Sequence, residues 1–361
     1  MSAPTRIRPT RTAPRRNRTL RLFGGGVSLR WEVRAALTVV GLLLVLVLLG
    51  VAALLTGAVA IPPSEVLAGL LGHGSRSTDY AVLGLRLPRL ATGIVVGAAL
   101  GISGAIFQTV SRNPLGSPDI IGFTTGAASG AIVAILVWGS GGGSSVTSSA
   151  AVIGGLVTAV IVYGLAYRRG VDGFRLILTG IGVGALLASL NAYLITRAQL
   201  RNAQEAQAWL VGSLNGRTWE DAFWVMMALL VTVPIALGLG RRLAMLEMGP
   251  EAARARGVPV DGTSLVLVAV AVVMTAVATA ATGPVAFVAL AAPQLARRLS
   301  RTEGAGLVTA ALMGAALLTA SDIVAQRLVP SRPLPVGIGT AAVGGVYLAW
   351  LLAREWRRGR T

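Results

Sequence analysis

The chain has 361 residues, 54% of them hydrophobic and 13% charged, with a mean hydropathy of +0.73 and a net charge of +18. That balance excludes a soluble domain and indicates an all-α polytopic membrane protein. Cysteine and lysine are both absent, which excludes disulfides, thiolate metal sites and a P-loop, whose lysine must contact the β/γ-phosphates.

Residues 1–34 carry nine arginines among Pro, Thr and Gly and read as an irregular basic arm with a short amphipathic segment around Trp31. A solvated arm on the cytoplasmic face accounts for this charge without nucleic acid. The first span is expected from Ala35 to about Thr56. The stretch Ile61–Leu85 holds Pro62-Pro63, His73, Asp79 and Tyr80 and is too polar to cross, so it is expected outside, with a short helix capped by Ser64. His73 is the only histidine, and a metal site needs several ligands.

From Arg86 to Ala127 two apolar segments, about Leu90–Val110 and onward from Ile120, flank a polar hinge, Ser111–Asp119. Glycine recurs at every fourth position, at Gly93, Gly97 and Gly101 and again at Gly122, Gly126 and Gly130. That spacing places each set on one helical stripe, where backbones approach closely in lipid. This hairpin supplies spans two and three. Trp138–Ser149 reads as a Gly/Ser loop. Spans four and five are expected over Ala150–Tyr163 and Phe174–Thr196, followed by a polar amphipathic helix within Arg197–Arg217. Spans six to ten are expected over Ala222–Gly240, Ser264–Ala281, Val285–Ala296, Gly306–Ile323 and Val336–Ala353. Gly283-Pro284 breaks the seventh from the eighth.

Ten spans place both termini on one side, and 24 of the 32 arginines fall on that side. The positive-inside rule makes it the cytoplasm. The organisation is therefore an arm at 1–34, a membrane domain at 35–353 and a basic tail at 354–361. Asp322 is the clearest charge inside a span and is expected to accept hydrogen bonds near the outer interface. No row of intramembrane acids or histidine relay accompanies it, which argues against a proton-coupled secondary carrier. The matching runs Gly97-Ala98-Ala99-Leu100 and Gly314-Ala315-Ala316-Leu317 read as low-complexity coincidence. Between spans six and seven, Pro250 and Gly257 delimit a short cytoplasmic helix, either a connector or a knob for a partner.

The chain resembles the permease subunits of the iron–siderophore and vitamin B12 class of ABC importers. The resemblance lies in RLPR at Arg86–Arg89, VGAALGISGAIFQ at Val96–Gln108, RNPLGSPDIIG at Arg112–Gly122, GPVAFVALAAPQLARRL at Gly283–Leu299 and LPVGIGTAAVGG at Leu334–Gly345. FRLILTGIGV, AWLVGSLNG and LEMG place it near the enterobactin-type, catecholate branch. The resemblance implies a type II importer permease of ten spans per subunit, moving a ferric siderophore inward. A haem or corrinoid permease is the alternative within the class. Implied partners are a second permease, expected to be homologous and non-identical, two cytoplasmic ATPases carrying ATP and Mg²⁺, and an extracytoplasmic binding protein. No cofactor, metal or covalent chemistry is expected on this chain. Three departures stand out: Gln294 replaces the family histidine, Pro333 replaces a common glutamate, and Arg256 stands where Leu is usual before Gly257-Val258.

Three sets of residues follow. The resemblance implies docking of the binding protein at Arg86 and Arg89, with Arg327 or Arg332 as a third contact. The ATPase is expected to receive Pro250, Ala252, Ala253, Arg256, Gly257 and Val258. The path is expected to be lined by uncharged polar groups that do not trap an anionic cargo: Ser103, Gln108, Thr124, Thr125, Ser129, Thr179 and Asn191.

Overall fold

The computed structural model describes residues 17–22, 27–57, 60–139, 143–167, 173–301, 305–328 and 334–358. Within the arm, β1 (Asn17–Leu22) pairs antiparallel with β2 (Val27–Glu32), Asn17 opposite Glu32 and Leu22 opposite Val27. This part of the arm is thus a hairpin where irregular chain was expected; backbone pairing satisfies its peptide groups. The first membrane helix, α1 (Val33–Leu55), follows directly. The outer loop holds α2 (Pro63–Leu70), α3 (Arg76–Asp79) and a π-helical turn, Tyr80–Arg86. Ser64 does not cap α2, because Pro62 occupies the cap position; the serine cap in this loop is Ser75, which accepts from the Thr78 amide at the start of α3.

The membrane body continues with α4 (Leu87–Val110), α5 (Phe123–Trp138), α6 (Gly143–Ala166), α7 (Gly173–Arg197) and α8 (Leu200–Leu210). Helix α6 begins inside the expected Gly/Ser loop, and one of its early serines ties it to the bundle: Ser148 donates to the Ala280 carbonyl. Then come α9 (Trp219–Gly238), α10 (Gly240–Glu247), α11 (Pro250–Ala255), α12 (Val260–Thr282), α13 (Val288–Ser300), α14 (Leu307–Leu328) and α15 (Val336–Arg358). Seven stretches are long and apolar enough to cross a membrane, and α5 and the Val336–Tyr347 part of α15 are shorter apolar helices. Helix α13, shorter and with two arginines in its last turn, takes the place of the expected eighth span, giving ten among the described residues. Helix α15 runs on to Arg358, so much of the expected tail continues the last span.

Helices α4, α12 and α14 form the interior, whereas α1 leaves most of its apolar surface outward, for lipid. The glycine stripes explain the interior. A Cβ at Gly97 would stand 2.5 Å from the Gly314 carbonyl, and one at Gly101 would strike the Ala310 carbonyl. So the two Gly-Ala-Ala-Leu runs are no coincidence: they are the crossing of α4 and α14, each offering glycine to the other's backbone. Gly126 and Gly130 meet Gly154 and Ala150 of α6 in the same way. Such contacts gain dispersion and Cα–H···O energy where no hydrophobic driving force separates helix from lipid.

The two arms of the expected hairpin do not pack along each other. Helix α4 lies against α12, α13 and α14, and α5 against α6 and α7. They meet at the hinge, where the Phe107 and Phe123 rings are 5.4 Å apart. The hinge is re-entrant. Ser111 touches Gly173 at the start of α7, while Gly122 (φ 84°) lies against Gly180 and Gly184. Those contacts differ by about 10–16 Å along α7. Helix α5 therefore starts inside the bundle and crosses with only 16 residues. Irregular backbone at this depth is possible because protein, not lipid, surrounds it.

Candidate translocation and coupling sites

At the outer end, a cavity of about 680 Å³ is bounded by the end of α1, the start of α4, the end of α14 and the loop before α9. Among the described residues Arg86, Arg89, Arg217 and Arg327 line it, with Asp322 as the one carboxylate. Arg86 and Arg89 are turned inward rather than presented on an outer rim. The Arg86 guanidinium donates to the Leu54 carbonyl at 2.6 Å, and its side chain is buried. Arg89 grips Asp322 with two parallel hydrogen bonds of 2.8 and 2.7 Å. Gln326 donates to the same carboxylate at 2.8 Å, which makes Asp322 the structural acceptor that its position suggested. Arg327 donates to the Thr56 hydroxyl. Arg217 belongs to this cavity although only its side of the membrane was expected. Arg332 lies outside the described residues.

A second cavity, of about 310 Å³, lies between α5, α7 and α8 beside the break at Pro284. It gathers Thr124, Thr125 and Asn191, and among the described residues no charged side chain lines it. The Asn191 Oδ1 is buried there without a hydrogen-bond partner among the described residues. The other expected path residues are elsewhere. Ser103 is fully enclosed between α4 and α12, where its hydroxyl donates to the Ala271 carbonyl and lies 2.7 Å from the Thr275 hydroxyl. Gln108 is buried against α13. Ser129 donates back to the Thr125 carbonyl of its own helix, and neither it nor Thr179 lines the cavity. The physical reason is shared: a buried hydroxyl or amide in a bundle binds the nearest backbone acceptor before it lines anything.

Three of the motifs converge beside this cavity. A Cβ at Gly212 (φ 68°) would strike the Pro284 carbonyl, and one at Gly337 the Val211 carbonyl. The Ser213 amide donates to the Thr282 carbonyl at 2.7 Å, and the Gly337 amide to the Gly212 carbonyl at 3.1 Å. The broken α12–α13 junction is thus held by the loop after α8 and by the start of α15. Nearby, both carboxylate oxygens of Asp119 are buried without a hydrogen-bond partner; the Phe287 N–H and the Thr124 hydroxyl approach but do not close a bond.

At the cytoplasmic end, the short helix α11 ends at Ala255, and Gly257 (φ 77°) turns the chain back so that the Val258 amide donates to the Ala253 carbonyl. Ala253 and Val258 are buried within the chain itself, so they anchor the segment and offer nothing to a partner. Arg254, Ala255, Arg256 and Gly257 are exposed, while Pro250 and Ala252 are half-buried. Arg256 also donates to the Met248 sulfur.

Gln294, in the place of the family histidine, donates from Nε2 to the Pro114 carbonyl at 2.7 Å and accepts from the Tyr347 hydroxyl at 3.3 Å. A neutral imidazole has one donor and one acceptor as well, so the amide can tie α13 to the hinge and to α15 in the same manner.

Comparison with known proteins agrees with this arrangement. Residues 42–354 match the model of the FecCD transport family. The ferric enterobactin transport system permease protein of Escherichia coli is 45% identical over 312 residues, covering 86% of this chain and 94% of that protein. The achromobactin transport system permease protein of Dickeya dadantii is 35% identical over 332 residues, covering 90% and 95%. A solved inward-facing ABC transporter, described as of the metal-chelate type, superposes with a TM-score of 0.77 at 27% identity over 88% of this chain and 99% of that one. With the ten-span body, the re-entrant hinge and the broken α12–α13 junction, these matches establish that the chain belongs to the FecCD transport family of membrane permeases.

Proposed function

We propose that this chain is a permease subunit of an ATP-driven importer that carries a ferric siderophore of the catecholate type across the cytoplasmic membrane. The observation that carries the cargo assignment is the 45% identity to the ferric enterobactin permease over nearly all of that protein. The uncharged wall of the inner cavity supports it, because a bulky anionic chelate must pass without being trapped by charge.

The remaining roles follow from the two ends. The outer cavity holds four arginines against one aspartate and suits acidic side chains of a binding protein. Arg327 is held only by the Thr56 hydroxyl among the described residues and is the first candidate to meet such an acid. Arg217, tied to the Ser213 carbonyl and Asp221, and Arg86 and Arg89 supply field from the wall. The exposed face of α11 at Arg254–Gly257 meets a cytoplasmic ATPase, which holds ATP and Mg²⁺. A second, homologous permease completes the path. No cofactor and no nucleic acid enters this scheme.

The test is reconstitution of the chain with its partner permease, ATPases and binding protein in proteoliposomes. ATP-dependent uptake of a ferric catecholate, well above that of a ferric hydroxamate, haem or a corrinoid, supports the reading; preferential corrinoid or haem uptake replaces the cargo, and ATP-independent uptake overturns the class. Single cysteines at Thr125 and Asn191 test the path in this cysteine-free chain. They should react with water-soluble thiol reagents in a cargo-sensitive manner, whereas a cysteine at enclosed Ser103 should not.

A further inference from the structure

Helix α10 ends at Glu247, just before the turn into the coupling helix α11. The Glu247 carboxylate accepts from the Thr109 hydroxyl at the end of α4 and stands 3.7 Å from the Arg297 guanidinium of α13. Arg297 donates in turn to the Gln108 side-chain oxygen at 2.9 Å, and Gln108 Nε2 donates to the Leu290 carbonyl at 2.9 Å. Gln294 reaches the Pro114 carbonyl of the hinge. Leu290, Gln294 and Arg297 are spaced by four and three residues, so they form one stripe of α13 facing α4 and the hinge.

Helix α13 is thereby gripped at both ends. Its 13 residues make a rod of about 20 Å. Pro293 withdraws a hydrogen bond from the Ala289 carbonyl, and Gly104 of α4 packs directly on that carbonyl, so the rod is seated in α4 as well. Its far end begins at Phe287 (φ 68°), three residues after Pro284 of the inner cavity. A displacement of α10 at Glu247 therefore has a continuous route to the cavity along α13, whose contacts with α4 lie on both sides of Pro293.

We propose that Glu247 and Arg297 are a pair of positioning residues that transmit movement of the coupling segment to α13 and so to the inner cavity. The inference rests on the importer reading above. The pair suits such a role because it is moderately exposed and loosely spaced, with side chains 28% and 31% accessible, so it can re-form as the two helices shift.

The experiment measures cargo imported and ATP hydrolysed by the complete transporter in proteoliposomes, for the wild type, Glu247→Gln, Arg297→Gln, Glu247→Asp and the exchange Glu247→Arg with Arg297→Glu. The importer reading itself is judged on the wild type alone, by ATP-dependent uptake. Given that, the single neutral variants should continue to hydrolyse ATP while cargo moved per ATP falls about fivefold or more, the lower range of a coupling between two sites. Glu247→Asp, and in part the exchange, should restore the ratio. A purely structural role predicts that uptake and hydrolysis fall together at an unchanged ratio, and that result overturns the proposal. So does a normal ratio in both neutral variants.

Discussion

Asp322 and Asp119 are both carboxylates set among the membrane helices, and their surroundings are opposite. Asp322 receives two hydrogen bonds from Arg89 and one from Gln326. Asp119, in the re-entrant hinge, receives none on either buried oxygen among the described residues. In the outer cavity the charge belongs to the fold: Arg89 and Asp322 cancel each other, lock α4 to α14 and leave the remaining arginines to set the field. In the hinge an uncompensated carboxylate is a standing cost, tolerated beside a segment that must stay irregular. The difference teaches that a buried acid in this family member is identified by its partners and not by its depth.

Deleting each carboxylate is the direct way to break that comparison. Asp322→Ala leaves the Arg89 guanidinium unpaired inside the wall and should cost about 3–5 kcal/mol, read as a lowered melting temperature in detergent. Adding Arg89→Ala should recover part of the loss, since no charge is then orphaned. A single variant as stable as wild type would show that water or lipid headgroups already satisfy the pair. Asp119→Asn should move the other way. A neutral amide has no charge to desolvate, so the melting temperature in detergent should rise, by less than the fall expected for Asp322→Ala. A fall in melting temperature would mean that the Phe287 amide or the Thr124 hydroxyl holds the carboxylate after all.

Glu247 sharpens the comparison from the third side. Its pair with Arg297 is longer and more accessible than the Arg89–Asp322 pair, at 3.7 against 2.7 Å. Glu247→Gln should therefore cost only about 0.2–1 kcal/mol of stability, and less in high salt. A cost as large as that of Asp322→Ala would make it a structural clamp and remove its value as a transmitting contact. The outer pair is expected to govern stability and the inner pair coupling.

Much of the fold was legible in the residues. Apolar length located the spans, arginine placement oriented them, and the four-residue glycine spacing announced close helix contacts. Thr124, Thr125 and Asn191 share one cavity, and each is a polar residue in an otherwise apolar segment bordering the hinge or the middle of a span. Ser103 and Gln108 looked the same in sequence and proved to be internal ties. Period alone says which residues share a stripe; it does not say what that stripe will face. The same gap hid the meeting of Gly97 with Gly314, whose matching runs lie far apart along the chain.

Composition and pattern by themselves indicated a helical membrane protein of about ten spans with its termini on the arginine-rich side, because the bilayer demands apolar length and the positive-inside rule reads charge without reference to contacts; the permease assignment came from the family motifs. Only the tertiary structure decided that the hinge rises into the bundle, that Arg89 is already paired, that Ala253 is buried, and that Glu247 reaches Arg297. Each of these depends on which distant backbone or side chain arrives at a given polar group. Inside a bundle that arrival sets the energy, since an unmet polar group costs more than any local preference can offset.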